Sequence, residues 1–342
     1  MTKIKSLFIS LLLTLGVSSA IAGSHGSTLD LVKERGKLMC GSNTGLAGFG
    51  APNDAGVWEG IDVDVCRAVA AAVFGDASKV EYVPTTSKVR FTVLQSGEID
   101  MLSRNTTWTL SRDVDLGLEF VGVNYYDGQG FMVRKDLGVS SASELDGASV
   151  CIQVGTTTEM NLADYFGANG MSYESIPVET NSEADAAYLA GRCDIYTTDA
   201  SGLYASRAGY PDPSAHIVLP EIVSKEPLGP SVRGNDSEWA DVVRWSLNAM
   251  IIAEEKGITS GNVNDMIANS PDPETQRLLG VKAGYGAWLG LSDDWAVNII
   301  SQVGNYSESF EKHIGVNTTI NIARGLNALY SDGGILYAPP FR

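Results

Sequence analysis

The chain has 342 residues, 44% of them hydrophobic, and its 41 acidic against 24 basic side chains give a formal charge of −17. That length suggests about two domains, each able to bury a core. The acidic balance excludes the basic surface that nucleic acid selects.

The first twenty-two residues set the compartment. Lys3 and Lys5 precede an apolar run from Leu7 to Val17 that is too short for a comfortable membrane span. Ala20-Ile21-Ala22 then supplies the small-x-small pattern of a cleavage site. Residues 1–22 therefore read as a signal peptide. No cysteine follows closely, so no lipid anchor is expected, and the mature chain is expected free in a Gram-negative periplasm.

Two passages then share one grammar. "KLMCGSN" reads as a strand, and "DVDVCRAVAAAVFG" as the helix after it. "LQSGEIDMLSRNTT" carries a helix end through Gly97 and Asp100 into a buried strand ending in Asn-Thr-Thr. In the second half, "ASVCIQVGTTTE" is the strand and "TEMNLADYF" the helix, and "LAGRCDIYTTDAS" ends its strand in Thr197-Thr198-Asp199. Two α/β lobes of related plan are expected, each a largely parallel sheet with helices on its faces. "VNYYDGQGFMVRK" reads as the crossing to the second lobe, and "LPEIVSKEPLGPSVRGND" as the return. The expected division is 23–127 for lobe 1, 128–225 for lobe 2, and 226–342 for the rest of lobe 1. A long amphipathic helix is predicted near Ser237–Lys256. Trp288, Trp295 and "LNALY" suggest that the tail beyond Ser270 packs on lobe 1.

Cys40, Cys66, Cys151 and Cys193 are an even number in an oxidising compartment, so two disulfides are expected. Of the three possible pairings, Cys40–Cys66 with Cys151–Cys193 is favoured, because each bond then staples one lobe. Without C-x-x-C spacing, and with His25, His216 and His313 scattered, neither a metal site nor a thiol-redox centre is expected.

In parallel sheets ligands bind beyond the strand C-termini, where the polar motifs accumulate. "SRNTTWTLSR", residues 103–112, crowds hydroxyls behind a strand and sets Arg112 one helical turn further on. It reads as a capped helix start, as a chance glycosylation sequon, or as a site for a small zwitterion. Thr156 and Glu159 of "VGTTTE" fit a capping box, leaving Thr157 and Thr158 in a first helical turn whose unpaired N–H groups favour an anion. Asp199 either caps the helix that begins near Ser201 or supplies a carboxylate for an ammonium. Arg112 and Asp199 across one cleft read as an α-amino-acid clamp.

Together "GSNTGLAGFG…GIDVDVCRAVAAAVFG", "LQSGEIDMLSRNTTWTLSRD", "GVNYYDGQGFMVRK", "VGTTTE" and "GRCDIYTTDASGLYA" resemble the periplasmic amino-acid-binding proteins of ABC transporters, in particular the general L-amino-acid branch. The resemblance covers essentially the whole mature chain, including "NDMIANSPDPETQRLLG" and "RGLNALYSDGGILYAPPFR". It implies a two-lobed type II periplasmic-binding fold that closes on an L-amino acid and delivers it to membrane permease subunits. It implies no cofactor, and a monomer is expected. It places Arg112 and the Thr157 amide on the ligand carboxylate, and Asp199, Thr107 and the Asn105 carbonyl on the ammonium. Asn43, Leu46, Ser87 and Lys88 fall where the family shapes the side-chain pocket. Ser87 stands where narrower relatives often stack an aromatic ring, and Gln153 where some carry a charge; both suit a roomier polar pocket. The rival readings are a dehydratase or lyase on the same scaffold and a receptor's sensing module. The first needs a general acid or base over the cleft. Asp199 and Glu159, the visible candidates, already have simpler roles.

Overall fold

The computed structural model describes residues 27–342. The expected signal peptide and His25 lie outside the described residues.

Two five-stranded sheets form the two lobes. In lobe 1 the order is Val80–Pro84, Leu38–Ser42, Met101–Leu102, Ser231–Arg233 and Leu118–Phe120. In lobe 2 it is Tyr173–Val178, Ala148–Gln153, Ile195–Asp199, Gln129–Arg134 and His216–Val218. The fourth strand of each sheet runs against its neighbours. In both cases it is the first strand that the chain lays down after entering that lobe, so it comes from the cleft side and points the other way. The entering segments, Tyr125–Asp127 and Glu226–Leu228, pair antiparallel as a ribbon with Glu226 opposite Asp127.

The helix Ile61–Phe74 is alanine-rich and almost wholly buried, since it is enclosed by the helices Ser237–Glu255 and Trp295–Gln302. Asp236 caps Ser237–Glu255 by accepting from the Trp239 amide at 3.1 Å. The C-terminal segment packs on lobe 1 through Trp295, which is buried, and through Tyr306, whose hydroxyl donates to the Asn124 carbonyl at 2.7 Å. Trp288 behaves differently: it is 73% exposed and stays outside this packing. It lies on a short one-turn segment, Gly286–Leu289, in which Leu289 rather than Trp288 packs against the core.

Cys40 is bonded to Cys66 and Cys151 to Cys193, with Cα–Cα distances of 6.3 and 5.6 Å. The first bond ties the opening strand of lobe 1 to the helix over it. The second joins the corresponding strand of lobe 2 to the residue before its Asp194 turn. Because the bonds close loops of 26 and 42 residues, mutating either pair to alanine is expected to cost on the order of 3 kcal/mol. A denaturant melt reads the loss, and a midpoint that does not move contradicts it.

Candidate functional site

The strand ends of the two lobes face one another across a small enclosed cavity. Ser87, Arg90, Asn105 and Thr107 line it from lobe 1, and Gln153, Thr156, Thr157, Thr158, Thr198 and Asp199 from lobe 2. Seven of the residues singled out from sequence are therefore brought together: Ser87, Asn105, Thr107, Gln153, Thr157, Thr158 and Asp199. Asn43, Lys88 and Arg112 stand outside that lining.

Asn105 holds a left-handed backbone, φ +30°, because its surroundings fix both of its ends. Its amide donates to the buried Asp62 carboxylate at 2.6 Å, and its side-chain oxygen accepts from Asn43 at 2.9 Å. Asn43 thus supports the loop rather than the cavity wall. Burial pushes the Asp62 carboxyl up to about 6, against hydrogen bonds from Asn124 and Asn105 that lower it. The next residues lie along the crossing ribbon: Trp108 donates to the Pro227 carbonyl at 2.9 Å, and the Thr106 carbonyl accepts from Gly229 at 3.0 Å. The hydroxyl-rich loop is therefore tied directly to the connection between the lobes.

Arg112 is 6% exposed. Its Nη1 donates to the Thr107 carbonyl at 2.8 Å, and its guanidinium lies 5.1 Å from the Phe91 ring centre. Arg90 also lies over Phe91, at 4.8 Å, and donates to Thr106 Oγ1 at 3.2 Å. Arg104 donates to Ser87 Oγ at 3.1 Å. Among the described residues, the Nε groups of Arg90 and Arg104 are buried without a partner. Burial holds the Arg112 and Arg104 guanidinium groups down to about 10 and Arg90 well below its usual range.

Buried Asp199 and Glu226 and half-buried Asp127 join Asp62 in answering these three cations. Asp199 sits at the N-cap of the helix Ala200–Ala208, yet its side chain makes no cap hydrogen bond among the described residues. Asp127 takes that role, accepting from the first-turn amide of Ser201 at 3.5 Å, and it also accepts from the Ser201 hydroxyl and from Gly128 N at 2.8 Å. Asp199 is left for the cavity. Burial first, then repulsion from Asp127 and Glu226, holds its carboxyl well above the ordinary range; Asp127 is pushed up to about 6, mainly by burial. Glu226 is 1% exposed and accepts from hydroxyls of both lobes. With Asp62 behind Asn105, four acids stand near three arginines, and both signs of charge lie within reach of one small ligand.

Thr156 caps the helix Thr157–Ala168 by accepting from Glu159 N at 3.0 Å. Glu159 returns to Gly155 N at 2.9 Å rather than to the Thr156 amide, so the expected capping box closes one residue early. Thr157 and Thr158 occupy the first turn, where amide donors lack intrahelical partners. Lys88 is exposed outside the cavity and pairs with Glu179 of lobe 2 at 3.6 Å.

Sequence reading missed Arg90, Arg104 and Glu226. Arg90 and Glu226 sit outside any strand-end motif, and only the fold carries them to the cavity. No group of three or more metal-ligating side chains occurs among the described residues. No helix among them is long and apolar enough to cross a membrane.

Residues 38–278 match the bacterial extracellular solute-binding proteins, family 3. The glutamate/glutamine/aspartate/asparagine-binding protein BztA of Rhodobacter capsulatus is 56% identical over 96% of this chain and 98% of its own. The general L-amino acid-binding periplasmic protein AapJ of Rhizobium johnstonii is 58% identical over 96% of each chain. Among solved structures, an ABC transporter periplasmic binding protein from Brucella ovis with glutathione bound is 56% identical, with a TM-score of 0.90 over 93% of this chain and all of that one.

Proposed function

This chain belongs to the family 3 bacterial extracellular solute-binding proteins, and from that premise we propose that it captures L-α-amino acids between its lobes in the periplasm and delivers them to the permease of an ABC transporter. Its relatives over nearly the whole chain are binding proteins, which sets aside the dehydratase. The observation that carries the reading is Asp199: a buried carboxylate heads a helix without capping it and lines a cavity shared with Arg90 of the other lobe. On this reading Asp199, Thr107 and the Asn105 carbonyl hold the ammonium. Arg112 and the first turn at Thr157 hold the α-carboxylate. Ser87 and Gln153 face the side chain, and Arg90 joins them as a polar wall. The chain works as a monomer whose lobes, divided at the ribbon, close on the ligand.

A second ligand class has an observation of its own. Outside Gly155 the cleft opens into a recess of about 870 Å³ lined by Lys88, Glu179 and Arg192, among others. The Brucella relative holds glutathione, and a γ-glutamyl peptide gripped by its α-amino-acid end has this recess for its remainder. Calorimetric titration with the twenty L-amino acids and glutathione tests both classes. Several polar amino acids binding at one per chain is the expected result, and a flat panel rejects the reading.

Gly155 gives a sharper check on closure. Its φ is +73°, and a Cβ there would lie 3.1–3.4 Å from the backbone of Ser87 and Lys88 on the opposite lobe. Gly155→Ala is expected to wedge the lobes and weaken every ligand roughly 5- to 150-fold, the equivalent of the 1–3 kcal/mol that overpacking costs. Wild-type affinity in that variant means that the two lobes do not need this contact.

A further inference from the structure

Glu226 belongs to neither strand-end motif. It lies on the crossing ribbon, and its carboxylate is saturated by four donors. Oε2 accepts from the Thr107 hydroxyl of lobe 1 at 2.5 Å and from the Thr157 hydroxyl of lobe 2 at 2.8 Å. Oε1 accepts from the Ser224 hydroxyl at 2.6 Å and from the Asn161 amide at 2.7 Å. A threonine hydroxyl has one proton and two lone pairs. Thr107 and Thr157 each give that proton to Glu226, so each offers the cavity only lone pairs. The two oxygens lie 3.3 Å apart, and both residues line the cavity. Two acceptors held this close are satisfied by a donor placed against them.

We infer that Glu226 is a positioning residue that sets the hydrogen-bond polarity of the clamp. By fixing both hydroxyls as acceptors, it selects a ligand with a protonated amine over one with a hydroxyl at the same carbon. The inference rests on the amino-acid reading above. An ammonium brings three protons, one each for Asp199, the Asn105 carbonyl and the paired Thr107 and Thr157 oxygens, whereas an alcohol brings one and leaves buried acceptors unpaired. A glutamine at 226 keeps the shape but has its own N–H to give. It can donate to one threonine oxygen and free that hydroxyl's proton to point into the cavity.

The test is the ratio of affinities for L-glutamate and L-2-hydroxyglutarate, measured calorimetrically for the wild type and Glu226→Gln. The wild type is expected to favour the amine by at least about a hundredfold, in line with sites built around a specific polar group. In Glu226→Gln the ratio is expected to fall about tenfold or more, chiefly through weaker glutamate binding. A merely structural role would weaken both ligands by the same factor and leave the ratio unmoved, which overturns the inference. Should Glu226→Gln fold poorly, Thr157→Val removes one acceptor while leaving Glu226 its other three donors, and the same fall in the ratio is expected. A wild type that binds no amino acid of the panel rejects the amino-acid reading itself. A wild type that binds glutamate, with variants that keep the ratio, rejects only the role given to Glu226. If another amino acid binds more tightly, it and its 2-hydroxy analogue replace the glutamate pair.

Discussion

Arg112→Ala is expected to weaken the binding of every L-amino acid by roughly 30- to 5,000-fold, the equivalent of the 2–5 kcal/mol lost when one partner of a buried, hydrogen-bonded charge pair is removed. The guanidinium is held in place before any ligand arrives, by the Thr107 carbonyl on one side and the Phe91 ring beneath it. A ligand carboxylate therefore meets a cation that needs little further ordering. The loss should be similar for glutamate, glutamine and alanine, because the α-carboxylate is common to all three. Arg112→Lys should bind poorly as well, since an ammonium cannot reproduce a planar two-pronged contact. Arg90 makes the experiment discriminating, because it lines the cavity itself and shares Phe91 with Arg112. Arg90→Met should change the ranking of ligands more than the common affinity. If Arg90→Met produces the uniform loss and Arg112→Ala the reordering, the two arginines have exchanged roles. If Arg112→Ala spares one ligand and disables the others, it reads the side chain.

Asp199→Asn is expected to move binding and stability in opposite directions. The ligand-free protein holds this carboxyl well above its ordinary value of 3.8, first because it is buried and then because Asp127 and Glu226 repel its charge. A carboxyl raised on folding binds its proton more tightly in the folded chain than in the unfolded one. Its contribution to ligand-free stability is therefore greatest below the ordinary carboxylate range and is lost as pH rises through the raised value. At neutral pH the charge is a burden that asparagine removes, so ligand-free Asp199→Asn should melt a few degrees higher than the wild type. Binding should fail in the same variant, because the ammonium loses its charged partner, with a loss of roughly 30-fold or more. The ligand acts on the wild type with the opposite sign. An ammonium favours ionised Asp199, so binding should release protons in the window between the ordinary and the raised value. Affinity should fall as the solution is acidified through that window. Calorimetry in two buffers of different ionisation heat counts the protons. A variant that melts lower, or binds as well as the wild type, contradicts this account of Asp199.

The strand ends were legible because strand, turn and helix chemistry are local. Gly97 and Asp100 before one apolar run, and Gly191 and Asp194 before the other, mark where each strand begins, and the polar residues after it mark where it ends. The same locality left Asp199 ambiguous. An aspartate before Ala-Ser-Gly has the sequence of a helix cap, and only the fold brings Asp127 close enough to take that work. Lys88 follows Ser87 in the chain, but the backbone turns between them. One side chain reaches the cavity, and the other reaches Glu179 across the cleft mouth. Glu226 was beyond reach for a related reason. It lies between a lysine and a proline in a loop-like stretch. Its importance comes from being held between two threonines 119 and 69 residues away.

A crystal structure with L-glutamine bound tests the central claim most directly. The expected result places the α-carboxylate on the Arg112 guanidinium and the Thr157 amide, and the ammonium against Asp199, the Asn105 carbonyl and the paired Thr107 and Thr157 hydroxyl oxygens. The side chain would point toward Ser87 and Gln153. A ligand held by one lobe alone, or one whose ammonium lies away from Asp199, would contradict the clamp.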